Sequence, residues 1–317
     1  MEKYYLGIDI GGTSIKAGIV DKEGNILAKS SCKTGREREA SIIVKDIIEL
    51  AKNIIFENGY TYDNIKGVGM GIPGSIDSKE GVIIYANNIL FENVPIVKLF
   101  NEEINIPTII DNDANAAGLG EMIFANEDGY KNLVFITLGT GVGGGIIIDG
   151  KIYSGNKGVG AEVGHMSIMV DGRQCNCGNI GCWETYASAT ALISDTKAKM
   201  EKNPDSLMNK IAKEDGRVTG RTAFKARRLG DKAASEVIDD YVKYVGTGLG
   251  NLGNILRPEA ILIGGGISNE GEYFIDMLQK YINKCLYCEY AAPVKVKRAK
   301  LLNDAGILGA ASLAINI

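Results

Sequence analysis

Asp9-Ile10-Gly11-Gly12-Thr13-Ser14-Ile15-Lys16-Ala17-Gly18-Ile19-Val20-Asp21 and Thr137-Leu138-Gly139-Thr140-Gly141-Val142-Gly143-Gly144-Gly145-Ile146-Ile147-Ile148-Asp149 share one pattern. Each reads as the end of a strand, a glycine turn, a second strand and a closing turn. Strands Tyr4 to Ile10 and Leu133 to Leu138 lead into them, and Asp21-Lys22-Glu23-Gly24 and Asp149-Gly150 close them. One such hairpin opens each of two halves of the chain. Between the hairpins, apolar periodicity predicts a helix from about Glu39 to Phe56, a buried strand Ile65 to Ile72, a strand Thr108 to Ile110 and a helix Ala114 to Phe124. After Glu184 the pattern turns helical over Ala187 to Met200, Leu207 to Ala212, a stretch after Arg217, and Lys232 to Leu256. A strand Ala260 to Ile263, a helix Glu270 to Cys285 and an apolar helix Ala305 to Ile315 complete it. The alternation predicts an α/β fold of two lobes with a cleft between them.

The bulk properties agree. A chain of 317 residues exceeds the size at which one core keeps growing, so two domains are expected. With 45% hydrophobic residues, 23% charged and a net charge of -4, the composition is that of a soluble globular protein. Lys and Arg are scattered, and Lys225-Ala226-Arg227-Arg228 and Lys295 to Lys300 are short enough to be solvated faces, so no nucleic-acid partner is expected. The N-terminus enters a strand pattern at once and carries Asp9, unlike a signal peptide, which points to the cytoplasm. No apolar run approaches the roughly 18 residues of a membrane span. Six cysteines are too few for a disulfide scaffold in a chain of this length.

The glycine turns at Gly11-Gly12-Thr13 and Gly139-Thr140-Gly141 let backbone N–H groups approach a phosphate without an intervening Cβ. Either alone reads more readily as a plain hairpin turn; the matched pair points to a polyphosphate. Gly139-x-Gly141-x-x-Gly144 also fits the dinucleotide fingerprint, but Gly145-Ile146-Ile147-Ile148 reads as a strand where that fingerprint needs a helix. Gly264-Gly265-Gly266 closes a buried strand ahead of a helix, as a third approach to a nucleotide or as a simple turn. Asp111-Asn112-Asp113-Ala114-Asn115 ends a strand and opens a helix, so one of these residues is expected to cap it. Two acids and two amides exceed what a cap needs, and binding sites gather at such strand ends. Asp9, on an apolar strand, needs a partner or a cation, and Mg²⁺ escorting a nucleotide would supply one.

His165 is the only histidine, and Cys175, Cys177 and Cys182 lie close behind it, which reads as a Cys3His zinc site. Cys285-x-x-Cys288 has no third ligand in view and reads as packing, and Cys32 as a strand residue. Glu162 and Glu184 flank the cluster, so a metal there would fix two carboxylates near one imidazole.

Cys175-Asn176-Cys177-Gly178-Asn179-Ile180-Gly181-Cys182-Trp183-Glu184-Thr185-Tyr186 closely resembles the signature of the ROK family of repressors and sugar kinases. Glu162-Val163-Gly164-His165 resembles its sugar and zinc segment, and Asp9-Ile10-Gly11-Gly12-Thr13 its first phosphate motif. The resemblance implies the actin-like, ribonuclease-H-like ATPase fold, whose lobes each carry a copy of the hairpin. It implies a small lobe over residues 1–110, completed by a C-terminal helix 303–317, and a large lobe over 111–302 with the zinc loop and dimer-forming helices. It implies an ATP-dependent hexose kinase, commonly a homodimer, with Asp113 as general base and Asn88, Asn112, Glu162, His165 and Glu184 holding sugar hydroxyls. Nucleotide contacts would come from Gly11, Gly12, Thr13, Lys16, Gly139, Thr140, Gly141, Gly265 and Gly266, with Mg²⁺ near Asp9 and structural zinc on His165, Cys175, Cys177 and Cys182. At Asn88 the pattern departs: Asn87 replaces the usual proline, and the Gly-Trp that commonly comes next is absent. Glucose is the first acceptor expected, with N-acetylmannosamine, N-acetylglucosamine, fructose and allose as alternatives. A sugar-sensing regulator is the competing class, although the first phosphate motif starts too early here for a DNA-binding domain ahead of it.

Overall fold

Strand β1 (Tyr4–Ile10) runs into the first glycine turn and returns antiparallel as β2 (Ser14–Val20), which sets Asp9 opposite Lys16. The computed structural model describes residues 3–86, 89–288 and 290–315. Next come β3 (Ile26–Lys33), α1 (Ala40–Glu57), β4 (Ile65–Ile72), β5 (Ser75–Asp77), β6 (Val82–Ala86), β7 (Phe91–Val94), α2 (Ile96–Glu103), β8 (Thr108–Asn112) and α3 (Asp113–Phe124). The first sheet has the order β3-β2-β1-β4-β8, with β1, β4 and β8 parallel. Its register aligns Asp9 with Gly71 and Gly71 with Asp111, so the carboxyl ends of three strands form one row. A small antiparallel sheet, β5-β6-β7, was not legible in advance, because strands this short hold too little alternation to stand out.

The two-residue period of β1 sorts its side chains. Leu6, Ile8 and Ile10 join a core with Ile43, Ile47 and Ile54 of α1, which recur at helical spacing. Tyr5 packs on the opposite face with Ile307 and Leu308 of α10 (Ala305–Ala314), the apolar terminal helix. Helix α10 also crosses α3 so closely that a Cβ on Gly120 would lie 2.8 Å from the Cα of Gly309.

The second hairpin comprises β9 (Leu133–Leu138) and β10 (Val142–Ile148), with β11 (Lys151–Ile152) next along the chain. A strand, and no helix, comes after the Gly139-x-Gly141 turn, which removes the structural requirement of the dinucleotide fingerprint. The helices are α4 (Glu184–Ala187), α5 (Ala189–Lys202), α6 (Leu207–Glu214), α7 (Thr222–Arg228), α8 (Lys232–Leu256) and α9 (Glu272–Cys285). Strand β12 (Ala260–Gly264) precedes α9 and β13 (Lys295–Arg298) comes after it, giving the sheet order β11-β10-β9-β12-β13. The helix expected from Ala187 is broken at Ser188, whose extended backbone ends α4 and whose side chain caps α5 by accepting from the Ala191 N–H.

By internal contacts the chain forms two compact units: residues 1–131, 145–161 and 300–317, and residues 132–144 and 162–299. This division differs from a break at residue 110, because α3 packs on α10 and β4 and stays with the first unit. No helix among the described residues is long and apolar enough to cross a membrane.

Candidate active site

In the first unit, Asp9 and Lys16 face each other across the hairpin, with Nζ 3.8 Å from Oδ2. Burial raises the Asp9 carboxyl above the usual carboxylate range, and the Lys16 ammonium opposes that rise. The first turn of α10 lies on the same carboxyl: a Cβ on Gly306 would stand 2.3 Å from Oδ2. The helix dipole there favours a negative charge. The Gly11-Gly12-Thr13 turn is braced by Thr34, whose hydroxyl donates to the Gly11 carbonyl and whose N–H donates to the Thr13 carbonyl.

At the end of β8, Asp111 is buried and accepts from the Asn112 N–H at 2.7 Å and the Asn115 Nδ2 at 2.9 Å. Burial raises its pKa despite these bonds. Asn112 caps α3: its Oδ1 accepts from the Ala114 and Asn115 N–H groups, while its Nδ2 donates to the Gly74 carbonyl at 3.1 Å. Among the described residues, the Asn112 Nδ2 has no second acceptor. Asp113, the first residue of α3, is exposed, and its Oδ1 accepts from the Ala114 N–H. Asn88 and its neighbour Asn87 lie outside the described residues.

In the second unit, the Gly139-Thr140-Gly141 turn is held from two sides. The Ala189 N–H donates to the Gly139 carbonyl and the Thr190 hydroxyl to the Thr140 carbonyl, both at 2.8 Å. From α4, Glu184 Oε2 accepts the Val142 N–H at 2.9 Å, and a Cβ on Gly141 would stand 2.2 Å from that oxygen. The end of β12 adjoins, since Gly264 pairs with Thr137. Gly265 there has φ of +78° and leaves no room for a side chain against the Leu138 backbone. Gly266 next to it is open.

Glu162, His165 and Glu184 are electrostatic neighbours. Desolvation raises the Glu162 carboxyl, His165 opposes this, and Glu184 adds to it. His165 is also one of four candidate ligands that converge: the donor atoms of His165, Cys175, Cys177 and Cys182 all lie within 4.8 Å of one another. Cys175 Sγ is 3.7 Å from His165 Nδ1, and Cys177 Sγ is 3.6 Å from Cys182 Sγ. A zinc tetrahedron with ordinary bond lengths has edges of roughly 3.5–3.8 Å, so this donor set fits one. Burial and the neighbouring sulfurs push the Cys182 thiol up to about 12, a crowding that a divalent cation relieves. Cys285 and Cys288 join no such cluster among the described residues.

The sequence pattern of the ROK family matches residues 5–317. The chain belongs to the ROK family. It is 37% identical over 313 residues to a glucokinase of Streptomyces coelicolor, spanning 98% of this chain and 96% of that protein. It is 35% identical over 309 residues to a glucokinase of Halalkalibacterium halodurans, spanning 97% and 94%. Among solved structures, a ROK family glucokinase from Streptomyces griseus in complex with glucose and AMPPNP superposes with a TM-score of 0.83, at 35% identity, covering 99% of this chain and 100% of that one. The fold is accordingly the actin-like ATPase fold expected of a ROK protein.

Three contributions have no signal in the sequence pattern. Gly306 makes room for Asp9 from the far end of the chain, and nothing in Asp304-Ala305-Gly306 marks it. Glu184 braces the glycine turn as well as facing Glu162, which its place in the cysteine signature does not disclose. Arg173 and Asp195 pair across the signature, with no pattern linking them.

Proposed function

We propose that this chain is an ATP-dependent hexose kinase with glucose as its first acceptor, forming glucose 6-phosphate and ADP. The observation that carries the reading is the position of Asp113. It stands exposed at the amino end of α3, directly after the strand-end row that contains Asp9 and Asp111. Phosphoryl transfer asks mainly for positioning and charge stabilisation, and the carboxylate of Asp113 belongs to the same unit as the Gly11-Gly12-Thr13 turn, which supports the reading.

Asp113 accepts the proton of the 6-hydroxyl as its oxygen bonds to the γ-phosphorus and the bond to the ADP oxygen breaks. In the first unit the Gly11, Gly12 and Thr13 backbone and Lys16 hold phosphate oxygens, and Asn112 and Asn88 hold sugar hydroxyls. In the second unit Gly139, Thr140, Gly141, Gly265 and Gly266 approach the nucleotide, and Glu162, His165 and Glu184 hold sugar hydroxyls. Asp9 would hold Mg²⁺, which would supply charge neutralisation on the nucleotide. Zinc on Cys175, Cys177, Cys182 and His165 Nδ1 would fix the imidazole so that Nε2 is turned toward the sugar. A homodimer working in the cytoplasm completes the reading and rests on the family resemblance.

Purified protein assayed with ATP, Mg²⁺ and a panel of glucose, N-acetylmannosamine, N-acetylglucosamine, fructose and allose tests it. The expected result is the highest kcat/KM for glucose. A higher value for another sugar overturns the glucose assignment, and transfer to none of them overturns the kinase.

A further inference from the structure

The metal ligands Cys175, Cys177 and Cys182 sit on a small hairpin with bridges at Ser167–Cys182 and Gln174–Ile180. Its base is anchored at Trp183, the single tryptophan, which is fully buried and donates from Nε1 to the Tyr244 carbonyl at 2.9 Å. The opposite strand of the hairpin is held by Arg173. The Arg173 N–H donates to the Tyr186 hydroxyl at 2.7 Å, and the Arg173 carbonyl accepts from Gly181 at 2.8 Å. Its guanidinium lies 4.5 Å from the centre of the Tyr186 ring. The same group donates to the Thr185 carbonyl at 2.9 Å and forms a two-pronged pair with Asp195 of α5 at 2.8 and 3.1 Å. A forked, planar cation matches a carboxylate in a way that lysine does not.

Asp195 belongs to the helix whose first residues hold the Gly139-Thr140 turn. Glu184, which opens α4 just ahead of that helix, holds the same turn at Val142. The segment from Glu184 through α5 is therefore a bracket that grips the glycine turn, and Arg173 is the side chain that fastens the cysteine hairpin to α5. We infer that Arg173 and Asp195 form a latch that positions His165 and Glu184 for the sugar while leaving the glycine turn to be held by the bracket itself. The inference rests on the kinase reading above.

A latch of this kind differs from a core contact. Its side chains are 39% and 32% exposed, and they border a cavity of about 230 Å³ shared with Lys202 and Tyr244. Truncation therefore opens into solvent and spares the core. It also leaves Asp195 beside Asp240, a like charge that Arg173 now offsets.

The test uses the full chain as Arg173→Ala, Arg173→Lys, Asp195→Asn and the double variant Arg173→Ala/Asp195→Asn. For Arg173→Ala the sugar KM is expected to rise roughly tenfold, the scale of a lost charged hydrogen bond, with the ATP KM within about twofold of wild type. Arg173→Lys should recover only part of the loss, and the double variant should be no worse than the single ones, because both remove one interaction. Unchanged sugar KM, or sugar and ATP KM rising together, overturns the latch. Inactive wild-type protein would instead overturn the kinase reading. Hydrogen exchange over residues 166–184 then decides the latch by itself: faster exchange in this hairpin supports it, and unchanged exchange overturns it.

Discussion

The two glycine turns have the same sequence pattern, yet the carboxylate beside each arrives by a different route. Beside the first stands Asp9, from the same hairpin, two residues before the turn and paired across it with Lys16. Beside the second stands Glu184, from a helix more than forty residues further along, which accepts the Val142 N–H. Each carboxylate fills the volume that a glycine leaves free, Gly306 for Asp9 and Gly141 for Glu184. The duplicated backbone thus supports two tasks. On the proposed reading, the first unit would join its turn to the base Asp113 and a cation near Asp9, and the second would join its turn to sugar recognition.

The largest expected effect tests that division at the base. Asp113→Asn should lower kcat by about 10²–10⁴-fold while sugar binding and the fold persist, because the amide retains an acceptor oxygen but no basicity. Equilibrium sugar binding beside steady-state kinetics checks it, and near wild-type turnover would remove Asp113 from the role. Next comes the paired substitution of the two glycines. Gly306→Ala should displace Asp9 and cost on the order of 10²-fold in kcat. Gly141→Ala should displace Glu184 and raise mainly the sugar KM, by about tenfold. The Gly141→Ala methyl meets the end of the Glu184 side chain, so thermal stability should change little there, whereas the Gly306→Ala methyl also meets Asp9 Cγ and Cβ at 2.5 and 3.0 Å and should lower it. If both variants gave the same kinetic signature, the two turns would share one task.

Cys177→Ser sharpens the second half of the comparison. It should lower metal content and raise the sugar KM several-fold before the ATP KM moves, since His165 is itself one of the four converging donors, whereas the Gly139-Thr140 turn is held by Ala189 and Thr190. Equal effects on both substrates would deny the cluster a role in sugar recognition. The smallest effect belongs to Asp111, whose burial raises its pKa in the folded state. Stability from its protonated form is present below the ordinary carboxylate pKa and is lost as pH rises through the raised one. Asp111→Asn keeps the acceptor oxygen used by Asn112 and Asn115, so its melting temperature should exceed wild type by about 2 °C near neutral pH, with the gain disappearing in acid. Thermal melts at both pH values check the sign.

Local chemistry made much of this readable in advance. The helix from Lys232 to Leu256 and the strand from Ile65 to Ile72 have the bounds their periodicity marks. The Asn112 cap reflects the preference of an amide for the free N–H groups of a helix end. The break at Ser188 was hidden because the apolar rhythm runs on through it, and the cap bond that ends α4 leaves no trace in that rhythm.

By itself the sequence determined the duplicated hairpin, the strand and helix alternation, the donor set for a metal and the family, because turn chemistry, hydrophobic period and ligand type are properties of neighbouring residues. Only the tertiary structure decided that Gly306 shelters Asp9, that Glu184 braces the second turn and that Arg173 ties the cysteine hairpin to α5. These contacts join residues with no common period, and their energies depend on excluded volume and bond geometry that exist only once the chain has packed.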